Sequence, residues 1–206
     1  MNVAPVPPSS FEHRAAARSA ELLGIDDSAP VPPAFDARLF ARLVAAREAR
    51  GELALLGLTA GQLASLAERH FDFAAGAAPL AQSAGKALVN VVDEAGAAYA
   101  ASMRAFLIAH AAPEVDSEDA RCLAAIVANA CLRPDHLWRD LGLSGRGDVT
   151  AMLERYFPAM VARNAEGLRW KKLLARELAL ATGGTPGPAP GCPGCEDFGF
   201  CFPPGP

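Results

Sequence analysis

The sequence has little excess charge of either sign, few aromatic side chains and no long apolar run. Its 206 residues carry 19 Lys and Arg against 23 Asp and Glu, a net charge of −4. This balance excludes a nucleic-acid binder that works through bulk positive charge. No apolar stretch reaches the roughly 18 residues that suggest a membrane span. The N-terminus also lacks the basic and apolar segments of a secretory signal. We therefore expect a cytoplasmic protein that binds neither nucleic acid nor membrane.

The apolar content is high mainly because alanine is abundant. Hydrophobic residues make up 51% of the chain and aromatic residues only 7%. Alanine favours helices but fills little core volume. From Phe35 onward apolar residues recur at helical spacing, as at Leu39, Leu43 and Ala46. No stretch alternates with period two, so the predicted fold class is all-α, without a sheet.

Composition divides the chain into three parts. Residues 1–34 contain two proline-rich stretches and are predicted to form a mobile leader with weak helical content. Residues 35–182 are predicted to form a single helical domain. Residues 183–206 consist mostly of Gly, Pro, Cys and Phe, and we expect an irregular tail with neither helix nor strand.

Several helix boundaries can be predicted within the helical domain. Thr59 and Gln62 form a capping-box pattern that starts one helix. Residues 84–112 are predicted to form one long helix or two short ones. Asp148 is expected to cap a later helix. The last helix is predicted over residues 164–181.

Three of the five cysteines fall within the last fifteen residues, at Cys192, Cys195 and Cys201. An odd count in a chain without a secretory signal argues against a disulfide framework. Two residues between Cys192 and Cys195 let both thiolates reach one metal centre. Glycines in the tail allow a tight wrap around such a centre. The sequence therefore predicts a metal-binding tail.

Spacing alone leaves four interpretations of this tail open. An iron–sulfur type cluster could accept three thiolates and a different fourth ligand. A structural zinc site usually needs four Cys or His ligands, and the tail has three cysteines and no histidine. A disulfide-redox CxxC needs a strand–helix context that is missing here. The fourth possibility is an inert tail.

Basic side chains precede the tail at Arg169, Lys171, Lys172 and Arg176. Such a run is usually a solvated helix face. A thiolate-ligated cluster and molybdate are both anionic, however, and a basic helix leading into the cysteines would favour either.

His136 is a candidate metal ligand. Asp140 lies four residues after His136, where its carboxylate could orient the imidazole, although a satisfied histidine is the common alternative. Cys131 and Cys122 lie nine residues apart and face opposite sides of one helix, so we do not expect them to share a metal. We expect a structural role for both.

Several segments between about Leu123 and Phe202 form a specific combination. They are Ala130-Cys131-Leu132, Asp135-His136-Leu137-Trp138-Arg139-Asp140-Leu141-Gly142-Leu143, Arg146, Tyr156-Phe157-Pro158, Asn164, Arg169-Trp170-Lys171-Lys172 and Cys192-x2-Cys195-x5-Cys201-Phe202. This combination resembles the NifQ family, which handles molybdenum in biological nitrogen fixation. The family's tail motif is Cys-x4-Cys-x2-Cys-x5-Cys. Its first position falls on Gly187 here, which has no side chain to act as a ligand. Within this resemblance the fourth ligand could be His136, Cys131, or an oxygen from Glu196, Asp197 or solvent. Two chains could also share one cluster, or cluster binding could have been lost.

The resemblance implies a molybdenum–iron–sulfur cluster on Cys192, Cys195 and Cys201. It implies a metallochaperone rather than an enzyme. Such a carrier would take up molybdate, draw on the iron–sulfur cluster supply, and donate molybdenum to the NifEN scaffold with NifH for synthesis of the nitrogenase iron–molybdenum cofactor. The alternatives are a helical interaction protein with a structural zinc or iron–sulfur knuckle, and a thiol redox switch through Cys192 and Cys195.

Overall fold

The computed structural model of the protein describes residues 10–25, 33–72, 80 and 92–204. Within these residues all regular structure is helical, which confirms the all-α prediction. The α-helices are α1 (Ser10–Leu22), α2 (Phe35–Glu48), α3 (Ala60–His70), α4 (Glu94–Ile108), α5 (Ser117–Ala130), α6 (Leu137–Asp140), α7 (Arg146–Tyr156), α8 (Pro158–Ala162), α9 (Trp170–Ala181) and α10 (Phe198–Cys201). Two 3₁₀ turns span Leu53–Leu56 and Cys192–Gly194. None of the described helices is long and apolar enough to cross a membrane.

The chain divides into two compact units. One comprises residues 1–53 and 59–87, and the other comprises residues 54–58 and 88–206. The first unit contains α1, α2 and α3, with Leu22 and Phe40 fully buried. The Nε atom of Arg18 in α1 donates to Glu48 Oε2 in α2 at 2.6 Å. The predicted leader therefore includes a helix that packs on α2. Residues 1–9 and 26–32 of that leader lie outside the described residues.

Helix α5 forms the centre of the second unit. Asp116 caps its N-terminus, because Asp116 Oδ1 accepts from the amides of Glu118 and Asp119 at 2.9 and 3.0 Å. Nearly all the residues that follow are buried, and many are alanines that let neighbouring helices approach closely. Helices α4 and α5 pack together, and α9 packs on α4. Helix α5 ends at Ala130, just before the segment that carries the candidate site.

Helix α9 begins at Trp170, so the predicted start at residue 164 was wrong. The Asn164 side chain folds the preceding loop back on itself. Its Oδ1 accepts from the Leu168 amide at 2.7 Å, and its Nδ2 donates to the Leu168 carbonyl at 3.0 Å. Gly167 takes a left-handed φ of +67°, which interrupts any helix there. These contacts fix the point at which α9 starts.

Other predicted boundaries had mixed outcomes. The capping box of Thr59 and Gln62 is confirmed. Asp148 does not cap α7, because Gly145 holds the cap position and Asp148 instead accepts from the Ser144 amide at 2.9 Å. Helix α4 occupies part of the predicted 84–112 helical stretch, of which residues 84–91 lie outside the described residues. The tail is not wholly irregular, because one 3₁₀ turn and α10 form around its cysteines.

Candidate metal centre

One pocket in the second unit collects the predicted metal ligands. Cys192, Cys195 and Cys201 all line it, and His136 lines it from the segment before α6. The start of α9 forms another wall through Arg169, Trp170, Lys171 and Lys172. The fold therefore joins the tail to two segments that lie about 20 to 70 residues earlier in the chain.

The tail reaches this pocket by close backbone packing. We call residues 191–202 the cysteine loop. The Gly191 amide donates to the Cys131 carbonyl at 3.0 Å. A Cβ on Gly191 would lie 2.0 Å from the Arg133 carbonyl oxygen, and one on Gly194 would lie 2.5 Å from Pro134 Cβ. Only glycine fits at these two positions, so they set the depth at which Cys192 and Cys195 sit.

A buried ion pair supports the segment beneath the cysteine loop. Lys171 Nζ donates to an Asp140 carboxylate oxygen, and the two side chains are only 6% and 7% exposed. Lys171 Nζ also donates to the Arg133 carbonyl at 2.8 Å. Arg133 Nε completes the arrangement by donating to Asp140 Oδ1 at 3.2 Å. The Arg133 carbonyl that Gly191 contacts is therefore held from below by Lys171.

Asp140 thus pairs with Lys171 and Arg133, whereas its spacing suggested that it orients His136. The carboxylates beside His136 Nε2 belong to the cysteine loop. Glu196 Oε1 lies 3.3 Å from this nitrogen, and Asp197 Oδ2 lies 3.5 Å from it. His136 therefore faces the turn between Cys195 and Cys201.

Two arginines hold that turn from outside. Arg139 Nη2 donates to Glu196 Oε1 at 3.2 Å, and Arg169 Nη2 donates to Asp197 Oδ2 at 2.7 Å. Both arginines are more than 40% exposed, so water screens the two pairs and each contributes at most about 1 kcal/mol. The outer side of the cysteine loop is therefore held less firmly than its inner side.

The predicted basic residues separate into two groups. Lys172 Nζ donates to the Cys201 carbonyl, and its ammonium lies 5.0 Å from the Phe202 ring centroid. With Arg169 and Lys171 it surrounds the cysteine loop. Arg176 does not line the pocket, and its guanidinium pairs with Glu166 at 2.9 Å and Glu177 at 3.2 Å.

Burial and nearby cations act in opposite directions on the thiols. Burial raises the pKa of Cys192, while the Ala189 backbone hydrogen bond and the Lys171 charge partly offset this increase. Burial likewise raises the pKa of Cys201, and the charges of Lys172 and Arg169 lower it. The basic side chains therefore favour the thiolate form that a metal requires.

Cys131 lies apart from the pocket lining. It is fully buried at the end of α5, and burial raises the pKa of its thiol to about 12. Its carbonyl accepts a hydrogen bond from the Gly191 amide at the start of the cysteine loop. Cys122 is 1% exposed in the core. Both positions fit the structural role predicted for them.

The donor set contains the side-chain types that ligate iron–sulfur groups. Three soft thiols and an imidazole line the same pocket, and cations surround them. Phe198 and Phe202 add an apolar rim, with ring centroids 5.3 Å apart. Within the described residues, no three His, Cys, Asp or Glu side chains are arranged to hold a single metal ion.

Sequence reasoning missed several residues that shape this site. It gave no role to Arg133 and Arg139, and it treated Trp170 only as part of a motif. The contact of Arg139 with Glu196 joins residues 57 positions apart, so no local spacing indicates it. Gly191 and Gly194 flank Cys192, and a need for close backbone approach could have been suspected from that position.

Comparison with known proteins bears directly on this arrangement. A sequence model of the NifQ family matches residues 37–203, which include every residue of the pocket. The chain belongs to the NifQ family. Members of this family are accessory proteins of nitrogen fixation. No solved structure matches the chain.

Three NifQ relatives illustrate the extent of the similarity. A NifQ homolog of Sinorhizobium fredii is 37% identical over 115 residues, 56% of this chain and 49% of the relative. NifQ of Azotobacter vinelandii is 40% identical over 87 residues, which are 42% of this chain and 45% of the relative. NifQ of Rhodobacter capsulatus is 36% identical over 90 residues, which are 44% of this chain and 50% of the relative. The matched stretch spans about half the length of each relative.

The close packing of Gly191 makes a first prediction. Gly191→Ala should push the cysteine loop away from Arg133, because the new methyl would overlap backbone atoms. Cys192 is 7% exposed in the unsubstituted protein. In the variant it should react with iodoacetamide at least several-fold faster than in that protein. Gly199→Ala is the matched control, since a Cβ there meets nothing within 4 Å. Equal labelling of Cys192 in both variants would contradict the packing argument.

The thiol environments make a second prediction. At pH 8 a thiol with a pKa of about 12 is ionised in roughly one molecule in ten thousand. Cys131 should therefore stay unmodified in the native metal-free chain while the less buried Cys195 is alkylated. Peptide mass spectrometry would measure both positions, with urea-unfolded protein as the control in which both react. Labelling of native Cys131 at the rate of Cys195 would refute this assignment.

Proposed function

We propose that this protein carries molybdenum on a molybdenum–iron–sulfur cluster and donates it for synthesis of the nitrogenase iron–molybdenum cofactor. The observation that carries the proposal is that Cys192, Cys195, Cys201 and His136 line one pocket together. Membership of the NifQ family supports the connection with nitrogen fixation. The protein would act in the cytoplasm as a carrier, without catalytic turnover.

The three cysteines would hold the iron corners of the cluster, because thiolates are the usual ligands of iron in such groups. His136 is the additional ligand that we propose for molybdenum, since it lines the pocket and Cys131 does not. An imidazole is a harder ligand than a thiolate and suits a metal that must later leave. When bound, the cluster would supply the sulfide ligands that retain molybdenum between uptake and donation.

The chain's own residues would position and stabilise this group. Lys171 and Lys172 lie close enough to lower the pKa of Cys192 and Cys201 respectively, which favours thiolates. Their charges would also balance an anionic cluster. The exposed ion pairs of Arg139 and Arg169 would let the outer side of the cysteine loop open for loading and release.

The proposed partners follow from this role. The protein would receive molybdate and iron–sulfur clusters, and it would deliver molybdenum to the NifEN scaffold with NifH. Neither nucleic acid nor membrane has a part in this route.

Metal analysis tests the proposal directly. Protein made in molybdate-supplied cells that express the cluster-assembly machinery, and purified without oxygen, should contain molybdenum with about three irons per chain. Replacing Cys192, Cys195 or Cys201 by Ser should remove most of the molybdenum and the iron, because each substitution removes one thiolate ligand. Cys122→Ser is the matched control and should retain both. Stoichiometric zinc alone would instead support the structural knuckle, and no metal in any preparation would contradict both.

Position 187 offers a gain-of-function test. A Cβ on Gly187 meets nothing within 4 Å, so a cysteine fits there without displacing a neighbour. Gly187→Cys should slow the loss of iron to a chelator several-fold, because it adds a fourth thiolate. Gly199→Cys introduces a thiol at another open tail position and should give no such gain. Equal effects of the two variants would argue against a ligand position at 187.

A further inference from the structure

The ring of His136 meets two carboxylates at the same nitrogen. Glu196 Oε1 lies 3.3 Å from Nε2, and Asp197 Oδ2 lies 3.5 Å from it. Within the described part of the chain, the hydrogen-bond and ion-pair partners of this ring all lie at Nε2. A neutral imidazole carries its proton on one nitrogen and a lone pair on the other. Carboxylates beside Nε2 favour the proton at that nitrogen, which leaves the lone pair on Nδ1.

Glu196 belongs to a closed chain of contacts that begins and ends at His136. Its Oε1 accepts from Arg139 Nη2 at 3.2 Å. Arg139 Nη1 also donates to Asp135 Oδ1 at 2.8 Å, and the same oxygen accepts from the His136 amide at 2.7 Å. The backbone of His136 is thereby connected through Asp135 and Arg139 to the carboxylate that faces its ring. These contacts hold Glu196 where it can accept from Nε2.

The other neighbours of the ring restrict it without taking the place of Glu196. Asp197 Oδ2 lies closer to Arg169 Nη2, from which it accepts at 2.7 Å, than to the His136 ring. The Trp138 ring lies nearly parallel to the imidazole, at an interplanar angle of 12° and a centroid distance of 6.3 Å. The His136 side chain is only 15% exposed. The ring therefore has little freedom to turn Nδ1 towards the carboxylates.

We propose that Glu196 is a positioning residue that holds the proton of neutral His136 on Nε2, so that Nδ1 is the nitrogen available to a metal. Histidines that ligate metals almost always donate their other ring N–H to a carboxylate, a carbonyl or water, which orients the ring and raises the basicity of the ligating nitrogen. Spacing along the sequence suggested Asp140 for this role, whereas the fold places Glu196 beside the ring. That the metal is molybdenum rests on the proposed function; the choice of nitrogen and of its carboxylate does not.

Nitrogen-15 NMR of the full metal-free chain tests this tautomer directly. At about pH 8.5, where imidazoles are neutral, long-range proton–nitrogen spectra show which ring nitrogen carries the proton. His136→Gln identifies the signals of this ring by their loss. The native ring should carry its proton on Nε2. Glu196→Ala should give a mixture of both tautomers, and Glu196→Gln should restore the native one because its amide oxygen still accepts.

Glu166→Ala is the matched control for the loss of an exposed glutamate. Glu166 is 69% exposed against 63% for Glu196, and it pairs with an arginine outside the pocket. This control and Asp197→Asn should both leave the tautomer of His136 unchanged, and backbone amide spectra would verify that each variant folds. A native ring protonated on Nδ1 would overturn the assignment. So would a tautomer that ignores Glu196→Ala, or one that responds equally to Asp197→Asn.

The loaded protein provides a second readout. In protein purified without oxygen from molybdate-supplied cells, Glu196→Ala should lose molybdenum to a chelator about tenfold faster than the native chain. Glu196→Gln and Glu166→Ala should lose it at the native rate. Equal rates for Glu196→Ala and the native chain would overturn the positioning role. Absence of molybdenum from the native chain would refute the proposed function, and the tautomer of the metal-free chain would still decide the role of Glu196.

Discussion

The candidate centre depends on the buried ion pair between Lys171 and Asp140. Two opposite charges at 6% and 7% exposure lose most of their hydration, and they are tolerated only when other hydrogen bonds satisfy them. Here Lys171 also binds the Arg133 carbonyl, and Arg133 also binds Asp140. The end of α5, helix α6 and helix α9 are thereby joined at one point. Losing the Asp140 carboxylate would leave the Lys171 ammonium buried without a counter-ion, at a cost of about 3–5 kcal/mol.

The cysteine loop rests on this support in an asymmetric way. Its inner side is fixed by backbone packing at Gly191 and Gly194, where no larger residue fits. Its outer side is held by exposed ion pairs of Arg139 and Arg169, which are individually weak. The carrier that we propose would need both properties, because it would have to retain its cargo in transit and release it on delivery. The same fold supplies a rigid base for the thiols and a side that can open at little cost.

The sequence was informative where chemistry is local and uninformative where it depends on packing. Helical spacing predicted the all-α fold. The cysteine spacing predicts a metal site, and the three tail cysteines line one pocket. It could not separate Arg176 from its basic neighbours, because only the position of Glu166 and Glu177 in the fold shows that Arg176 is paired elsewhere. The helix predicted from residue 164 failed because the Asn164 side chain bonds to Leu168 in a loop. The start of α9 at Trp170 follows from that loop.

X-ray absorption at the molybdenum edge tests the central claim most directly. It would be recorded on protein purified without oxygen, and on the same protein with His136 replaced by Ala. The account predicts sulfur and iron neighbours around molybdenum in both samples, and a nitrogen neighbour that is lost in His136→Ala. A molybdenum atom with oxygen neighbours alone would contradict the cluster and leave only a bound oxyanion.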